Sequence, residues 1–289
     1  MLARAGADVT LIGRPVHVEV WTRDGLFIDS INFQDRIRVA ASTDVAAAAD
    51  ADLVLFSVKS LDTVETARQL ARHVRRDASI VSLQNGVDNV DRLSSILGSD
   101  RVLGGAAYIA TVIASPGVIK HTSQFATLRF GRADKKPDAK LSAFVDAGKA
   151  AKLDIDLSAD ISRELWQKFI FLTAMAGSTA SLRSPIGPII ADPELREFFH
   201  QLMEEAFAVG KAKGISLDHA YIDERMNFLV NKIEPGMRAS MAHDLERGNR
   251  LELDWLAGKV RSLGREFGIP TPASDTVYTV LKLHRMGTH

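Results

Sequence analysis

Short apolar runs alternate with helical patterns through the first half of the chain. The runs DVTLIGR (8–14), LVLFSVK (53–59) and SIVSLQNG (79–86) are rich in Val, Ile and Leu, and amphipathic patterns follow at 62–76 and 88–98. Apolar strands that alternate with helices form parallel sheets whose two faces are covered. The alternation therefore predicts an α/β fold with a mostly parallel sheet.

The pattern changes beyond residue 100. Strand pieces in 101–131 are separated by Pro116-Gly117 and by HTSQ, which predicts antiparallel hairpins that extend the sheet. Almost all of the remaining pattern beyond residue 160 is helical, with segments at 161–180, 193–213, 218–232, 236–247, 250–267 and 273–286. We therefore predict an α/β domain over 1–159 and an all-α domain over 160–289.

Composition narrows the class of function. The 289 residues suffice for two domains of ordinary size. Lys and Arg (36) balance Asp and Glu (36), so no cationic field favours nucleic acid or an anionic membrane. The chain has no cysteine and no signal-peptide pattern, and its longest strongly apolar stretch, FIFLTAMAG, is too short to span a bilayer. We expect a cytoplasmic protein with no nucleic-acid or membrane partner.

The opening residues, MLARAGADVTLIGRP, have the pattern of the middle of a β-α-β unit. LARAG is typical of the end of a helix, and DVTLIGR is typical of the strand that follows a glycine turn. The strand and glycine-rich loop that begin such a unit are expected before Met1, because the apolar run VTLIG would otherwise leave a hydrophobic edge exposed. A misassigned start, a truncation and a natural loss all remain open.

Polar residues end three successive predicted strands, where open α/β sheets bind their ligands. Arg14 suits the 2′-phosphate of NADP, and the alternative is a solvated arginine before Pro15. Lys59 suits a phosphate or an adenosine group, and the alternative is a lysine whose head extends into solvent. Asn85 suits a nicotinamide ribose, and the alternative is a structural turn with the following glycine.

One lysine lies inside an apolar helical pattern. RELWQKFIFLTAMAGSTA (163–180) is apolar nearly all round after Trp166, which predicts a buried helix, yet Lys168 lies near its start. Burial lowers the pKa of an ammonium group, so such a lysine can donate a proton near neutral pH. The alternative is a lysine whose head reaches solvent at the helix end.

Three polar residues form a second cluster, in MRASMAHDLERGNRLELDW. Ser240 and Asp244 are four residues apart and share a helix face. Glu252 is expected in the first turn of a helix that begins near Arg250, where the helix dipole alone explains an acid. A functional role requires the helix break at Gly248 to turn Glu252 and Ser240 towards one pocket.

Nearly the whole chain resembles the ketopantoate reductase (2-dehydropantoate 2-reductase) family. The matching stretches are DVTLIGR, VLFSVKSLDT, IVSLQNGVDN, RVLGG, SPGVIKHT, ELWQKF, ASMAHDLERGNRLELDWLAG and GIPTPASDTVY. The resemblance implies a Rossmann-type NADP-binding domain, N-terminally incomplete here, and a helical substrate domain. It also implies an oxidoreductase that reduces ketopantoate to pantoate with NADPH, in pantothenate biosynthesis. The oligomeric state stays open, with a homodimer as one alternative.

The resemblance also implies roles for the residues of the helical half. Lys168 matches the catalytic lysine, which gives a proton or a strong hydrogen bond to the substrate oxygen. Glu252 matches the acid that binds the substrate hydroxyl. Ser240 matches a serine that contacts substrate, and Asp244 lies beside it.

Cofactor roles follow in the same way. Arg14 and Lys59 match positions that handle the adenosine 2′-phosphate of NADPH, and Asn85 matches an asparagine near the nicotinamide. The resemblance implies no metal.

The chain departs from the family in two respects. Leu172 and Ala176 stand where the family has asparagines that contact substrate, so a bulkier or less polar 2-oxo acid is an alternative substrate. The family's glycine-rich loop does not occur in the chain, so a ligand-binding or interaction protein with a deficient cofactor site is a second alternative.

Overall fold

The computed structural model describes residues 1–136 and 138–288, which form two compact units. The first unit consists of Met1–Val58, Asp62–Gln84 and Asn89–Ile161. The second consists of the chain from Ser162 onwards together with two short segments, Lys59–Leu61 and Asn85–Asp88.

The first unit has a mixed α/β organisation. Its strands are β1 (Thr10–Ile12), β2 (Leu26–Ser30), β3 (Gln34–Ile37), β4 (Ala40–Ser42), β5 (Leu53–Phe56), β6 (Ser79–Ser82), β7 (Val102–Ser115), β8 (Val118–Gly131) and β9 (Asp154–Leu157). Its helices are α1 (Pro15–Asp24), α2 (Thr63–Leu70), α3 (Asn89–Leu97) and α4 (Ala139–Ala150).

The main sheet of this unit is mostly parallel, which confirms the predicted fold class. Its order is β3-β2-β8-β7-β6-β5, with β9 beside β8. The pairs β5–β6, β6–β7, β2–β8 and β8–β9 are parallel, whereas β2–β3 and β7–β8 are antiparallel. The prediction of several hairpins in 101–131 is wrong: one long hairpin turns at Pro116-Gly117.

The strand β1 lies outside the main sheet. Among the described residues it pairs only with β4, in parallel, through Thr10 with Ala40 and Ile12 with Ser42, and these two strands form a separate sheet. Ile12 of β1 and Leu55 of β5 are 40% and 38% exposed, so both strands carry an uncovered apolar side chain. The observed β1 is also shorter than the predicted strand at 8–14.

Several elements of the first unit do not follow from the sequence patterns. The run VHVEVW alternates polar and apolar residues as a strand does, yet it forms α1. Pro15 at the first helical position and the turn at Gly25 favour this helix locally. The predicted helix at 62–76 ends at Leu70 as an α-helix, and β2, β3 and β4 were not predicted.

The second unit is helical, as predicted. Its helices are α5 (Ile161–Ser181), α6 (Ile186–Ala191), α7 (Pro193–Ala212), α8 (Ala220–Asn231), α9 (Ser240–Glu246), α10 (Ala257–Phe267) and α11 (Pro272–Leu281). α5 begins at the last residue of the first unit, and α6 was not predicted. Within the described residues, no helix has the length and apolar character that crossing a membrane requires.

Two helices of this unit begin a full turn or more later than predicted, because tertiary hydrogen bonds hold the preceding backbone. The amides of Ile186 and Gly187 donate to the carbonyls of Met237 and Pro235 at 2.9 Å, and α9 begins only at Ser240. The predicted helix at 250–267 is a short 3₁₀ turn, Leu253–Trp255, followed by α10 from Ala257. The start of α11 is one residue earlier than predicted.

A buried carboxylate caps α11. Glu205, on α7, is 8% exposed, and its two oxygens accept the amides of Ala273 and Ser274 at 2.6 and 2.8 Å. These amides lie in the first turn of α11, where N–H groups lack partners within the helix and a negative charge is favoured. Glu205 therefore fixes α11 against α7.

We expect the Glu205→Gln substitution to lower the free energy of unfolding by about 2 kcal/mol. The glutamine keeps the shape, but its NH2 group faces a backbone N–H and leaves that donor without an acceptor. Urea denaturation measures the loss. Glu197→Gln, on the exposed face of the same helix, is the control and should change stability by less than about 0.5 kcal/mol. Equal effects of the two substitutions would contradict the capping role.

Candidate active site

The ammonium group of Lys168 lies in an apolar part of α5. Its neighbours in sequence, Trp166, Phe169 and Ile170, are at most 2% exposed and belong to the core of the second unit. Burial lowers the pKa of Lys168 to about 8, and the negative charge of Glu252 partly opposes this shift. No hydrogen bond or ion pair engages its ammonium group within residues 1–136 and 138–288. The lysine is thus a cation that titrates near neutral pH.

Glu252 lies where the chain leaves α9 and has not yet begun α10. It precedes the 3₁₀ turn Leu253–Trp255, so the expectation that it occupies the first turn of a long helix is wrong. Its carboxylate accepts the backbone amide of Ser60 at 2.9 Å. It is also the charge that raises the pKa of Lys168. A local helix-dipole role therefore does not account for this acid.

The segments Lys59–Leu61 and Asn85–Asp88 are hydrogen-bonded to each other next to Glu252. The Ser60 side chain is fully buried, and its hydroxyl donates to the carbonyl of Asn85 at 3.2 Å. Through Ser60, Asn85 and Glu252 belong to one hydrogen-bonded chain. The contact of Ser60 was not predicted, because a buried backbone donor has no signature in a residue pattern.

An ion pair joins two other candidates. Lys59 Nζ lies 2.7 Å from Asp244 Oδ2, with the lysine side chain 44% exposed and that of the aspartate 16% exposed. Asn249 Nδ2 donates to the other oxygen of Asp244 at 3.1 Å. The sequence assigned Lys59 to cofactor and Asp244 to substrate, whereas in this structure each is the partner of the other.

A second ion pair holds the Asn85–Asp88 segment. Lys259, on α10, lies 2.8 Å from Asp88 Oδ2, and both side chains are mostly buried. Neither residue was singled out in the sequence, since a lysine within an amphipathic helix is typical of a solvated face. The pair anchors the segment that carries Asn85.

Ser240 and the two apolar positions on α5 stand apart from these contacts. Ser240 is the exposed first residue of α9, one turn before Asp244, and among the described residues no hydrogen bond joins it to Lys168 or Glu252. Leu172 and Ala176 follow Lys168 at intervals of four, on one face of α5. Ala176 is 1% exposed within the core, and Leu172 packs against the same core.

Arg14 belongs to the first unit. It is exposed and precedes α1, two residues beyond the end of β1. Its guanidinium makes no ion pair or hydrogen bond with any residue in the described part of the chain. Among those residues, no group of three or more acidic or histidine side chains is arranged to bind a metal.

Two family profiles match the chain, and together they cover most of it. Residues 1–135 match the profile described as ketopantoate reductase PanE/ApbA. Residues 160–285 match the profile described as ketopantoate reductase PanE/ApbA C terminal.

Individual relatives are similar over almost the whole chain. A crystal structure of a PanE/ApbA family ketopantoate reductase from Ralstonia eutropha JMP134 has 33% identity and a TM-score of 0.90, covering 98% of this chain and 92% of that one. The uncharacterized oxidoreductase YkpB of Bacillus subtilis is 26% identical over 98% of this chain and 93% of its own length. A 2-dehydropantoate 2-reductase of Halobacterium salinarum is 27% identical over the same shares.

The burial of Lys168 predicts a pH-dependent cost in stability. Because its pKa is about 8 in the folded protein and 10.5 in the unfolded chain, the unfolded chain binds more protons between these values. The destabilisation by Lys168 is therefore full below pH 8 and disappears as the pH rises towards 10.5. We expect Lys168→Met to raise the melting temperature at pH 7 and to raise it much less at pH 10.

The matched control is Lys213→Met, which replaces an exposed lysine at the end of α7. This variant should show no such dependence in the same thermal denaturation series. If Lys168→Met did not raise the melting temperature at pH 7, or raised it equally at pH 7 and pH 10, the result would contradict the burial of a charged ammonium.

Proposed function

The chain belongs to the ketopantoate reductase PanE/ApbA family, and on that premise we propose that it reduces ketopantoate to pantoate with NADPH. As a member it is an oxidoreductase of the 2-dehydropantoate 2-reductase type. The observation that carries the proposal is the buried Lys168 ammonium with the Glu252 carboxylate as its opposing charge. We assign the 1–159 domain to the cofactor and the 160–289 domain to substrate and catalysis.

The cations of the chain fit a phosphorylated dinucleotide. Arg14 is exposed beyond the end of β1, and no acidic side chain among the described residues forms an ion pair with it. Such an unpaired guanidinium suits a 2′-phosphate. Lys59 supplies a second cation, although Asp244 must share it with a bound phosphate. The Asn85 carbonyl accepts the Ser60 hydroxyl, and the Ser60 amide donates to Glu252, so Asn85 lies close to the proposed substrate acid and would hold the nicotinamide end. Bound NADPH supplies the hydride that reaches the 2-oxo carbon.

Lys168 is the proposed acid of the reaction. Its ammonium donates a hydrogen bond to the 2-oxo oxygen and then a proton, as negative charge develops on that oxygen. This interaction strengthens as the alkoxide forms, so it stabilises the transition state more than the substrate. A pKa of about 8 leaves most of the group protonated at pH 7 and makes the proton easier to release than from an ordinary lysine.

The other candidates would orient the substrate. Glu252 accepts the substrate hydroxyl through its carboxylate while its Oε1 is held by the Ser60 amide. Ser240, exposed at the start of α9, is available for a further substrate contact, and Asp244 lies one turn along the same helix. These donors and acceptors match a small hydroxylated acid.

A second candidate function is the reduction of a bulkier or less polar 2-oxo acid. Leu172 and Ala176, on the face of α5 that carries Lys168, offer no hydrogen bond to a substrate. A site that lacks such donors discriminates weakly in favour of a polar substrate. The two candidate functions share the proton donation by Lys168 and differ only in which 2-oxo acid is the preferred substrate.

We expect NADPH oxidation with ketopantoate, and Lys168→Ala should lower kcat by about 10² to 10⁴ while NADPH still binds. Because the acid must be protonated, kcat/KM should fall as the pH rises through about 8. A panel of 2-oxo acids with apolar side chains decides between the two candidate substrates. NADPH binding without turnover of any of these acids would overturn the reductase proposal and favour a ligand-binding protein.

Arg14→Ala tests the proposed preference for NADPH. Loss of a charge-assisted contact to the 2′-phosphate should raise the KM for NADPH roughly tenfold or more and leave the KM for NADH unchanged. Arg68→Ala, which replaces another exposed arginine of the first unit, is the control. Equal changes for the two cofactors would mean that Arg14 does not recognise the phosphate.

A further inference from the structure

We propose that the C-terminal segment Tyr278–Thr288 positions Glu252, with Tyr278 and Gly287 as positioning residues for the substrate hydroxyl. The proposal rests on the proposed function, because it takes Glu252 as the acid that binds this hydroxyl. The segment holds the chain on both sides of Glu252, and its role is to position this acid without contacting the substrate.

On the side before Glu252, two backbone hydrogen bonds join the segments. The amide of Leu251 donates to the carbonyl of Arg285 at 2.9 Å, and the amide of Thr288 donates to the carbonyl of Gly248 at 3.0 Å. Leu251 precedes Glu252 directly. Its amide is therefore engaged by a residue 34 positions later and not by the preceding turn of a helix.

The close approach at Gly248 requires a glycine at position 287. Gly287 has φ +81°, and a Cβ there would lie 2.5 Å from the carbonyl oxygen of Gly248. It would also lie 3.2 Å from the amide nitrogen of Arg250. Any larger residue at 287 must force the C-terminal segment and the Gly248–Arg250 backbone apart.

On the side after Glu252, a side-chain network holds the 3₁₀ turn. The Tyr278 hydroxyl donates to Asp254 Oδ1 at 2.7 Å and accepts from Arg285 Nη1 at 3.3 Å. Arg285 Nη1 also lies 3.9 Å from the same carboxylate oxygen. Arg261 lies over the Tyr278 ring, 4.2 Å from its centroid. The network fixes the side chain of Asp254, which lies two residues beyond Glu252.

Apolar burial does not hold the end of this segment. Beyond Leu281, Leu283 and Met286 are 92% and 54% exposed. The segment beyond Leu281 is therefore fixed largely by the polar contacts to Gly248, Leu251 and Asp254. Those contacts flank Glu252, whose backbone is outside any α-helix and whose carboxylate is held by the Ser60 amide.

The test compares two acids that differ by one hydroxyl, ketopantoate and 3,3-dimethyl-2-oxobutanoate. Tyr278→Phe removes the bond to Asp254, and Gly287→Ala displaces the Gly248–Leu251 backbone. Each should raise the KM for ketopantoate about fivefold and leave kcat and the KM for the acid without the hydroxyl nearly unchanged. Thr276→Val is the control, because it removes a hydroxyl bond to Pro272 on the exposed face of the same helix.

Equal loss with both acids, or no loss, would overturn the positioning role. A wild-type protein that turns over neither acid would instead contradict the proposed function. In that case amide hydrogen exchange still decides the inference. Exchange in Gly248–Asp254 should become faster in both variants and stay the same in the control, and an unchanged rate in the variants would overturn the proposal.

Discussion

The desolvation of one ammonium group, that of Lys168, is the constraint on which the proposed site depends. The group lies on an apolar helix where water does not fully solvate a charge, so its protonated form is disfavoured. The negative charge of Glu252 offsets part of this cost. The balance makes Lys168 a cation that can lose its proton near neutral pH, which an exposed lysine cannot do. The cost of burial is thus the source of the proposed acidity.

Glu252 owes its place to residues that are distant in sequence. Ser60 donates its backbone amide to the carboxylate, and the C-terminal segment engages Leu251 and Asp254 on either side. No helix carries Glu252, so its position is set by these tertiary contacts and not by local propensity. A site built this way is sensitive to substitutions far from the substrate.

The sequence predicted the fold class because hydrophobic periodicity reports burial directly. Mostly parallel strands in the first half, helices in the second half and the buried helix α5 followed from that pattern. The long hairpin β7–β8 was divided too finely, and α1 was missed because VHVEVW alternates as a strand does. The late starts of α9 and α10 were also missed, since bonds to Ile186, Gly187 and Arg285 have no local signature.

The sequence identified candidate site residues by their type more successfully than it predicted where they lie in the fold. The unusual burial of a lysine in WQKF indicated Lys168, but the interpretation of Glu252 as a first-turn acid was wrong. The Lys59–Asp244 pair joins residues 185 positions apart, and Ser60 acts through its backbone, so neither contact was visible in the sequence. The roles assigned to Arg14, Asn85 and Ser240 remain predictions.

A direct titration of Lys168 tests the central claim. Nuclear magnetic resonance of protein labelled with ¹³C at the lysine Cε resolves this residue by comparison with the Lys168→Met spectrum. We predict a pKa of about 8 for Lys168 in the wild-type protein, and a lower pKa in Glu252→Gln, because the opposing carboxylate is then lost. A pKa close to 10.5, the ordinary value of a lysine, would contradict the account.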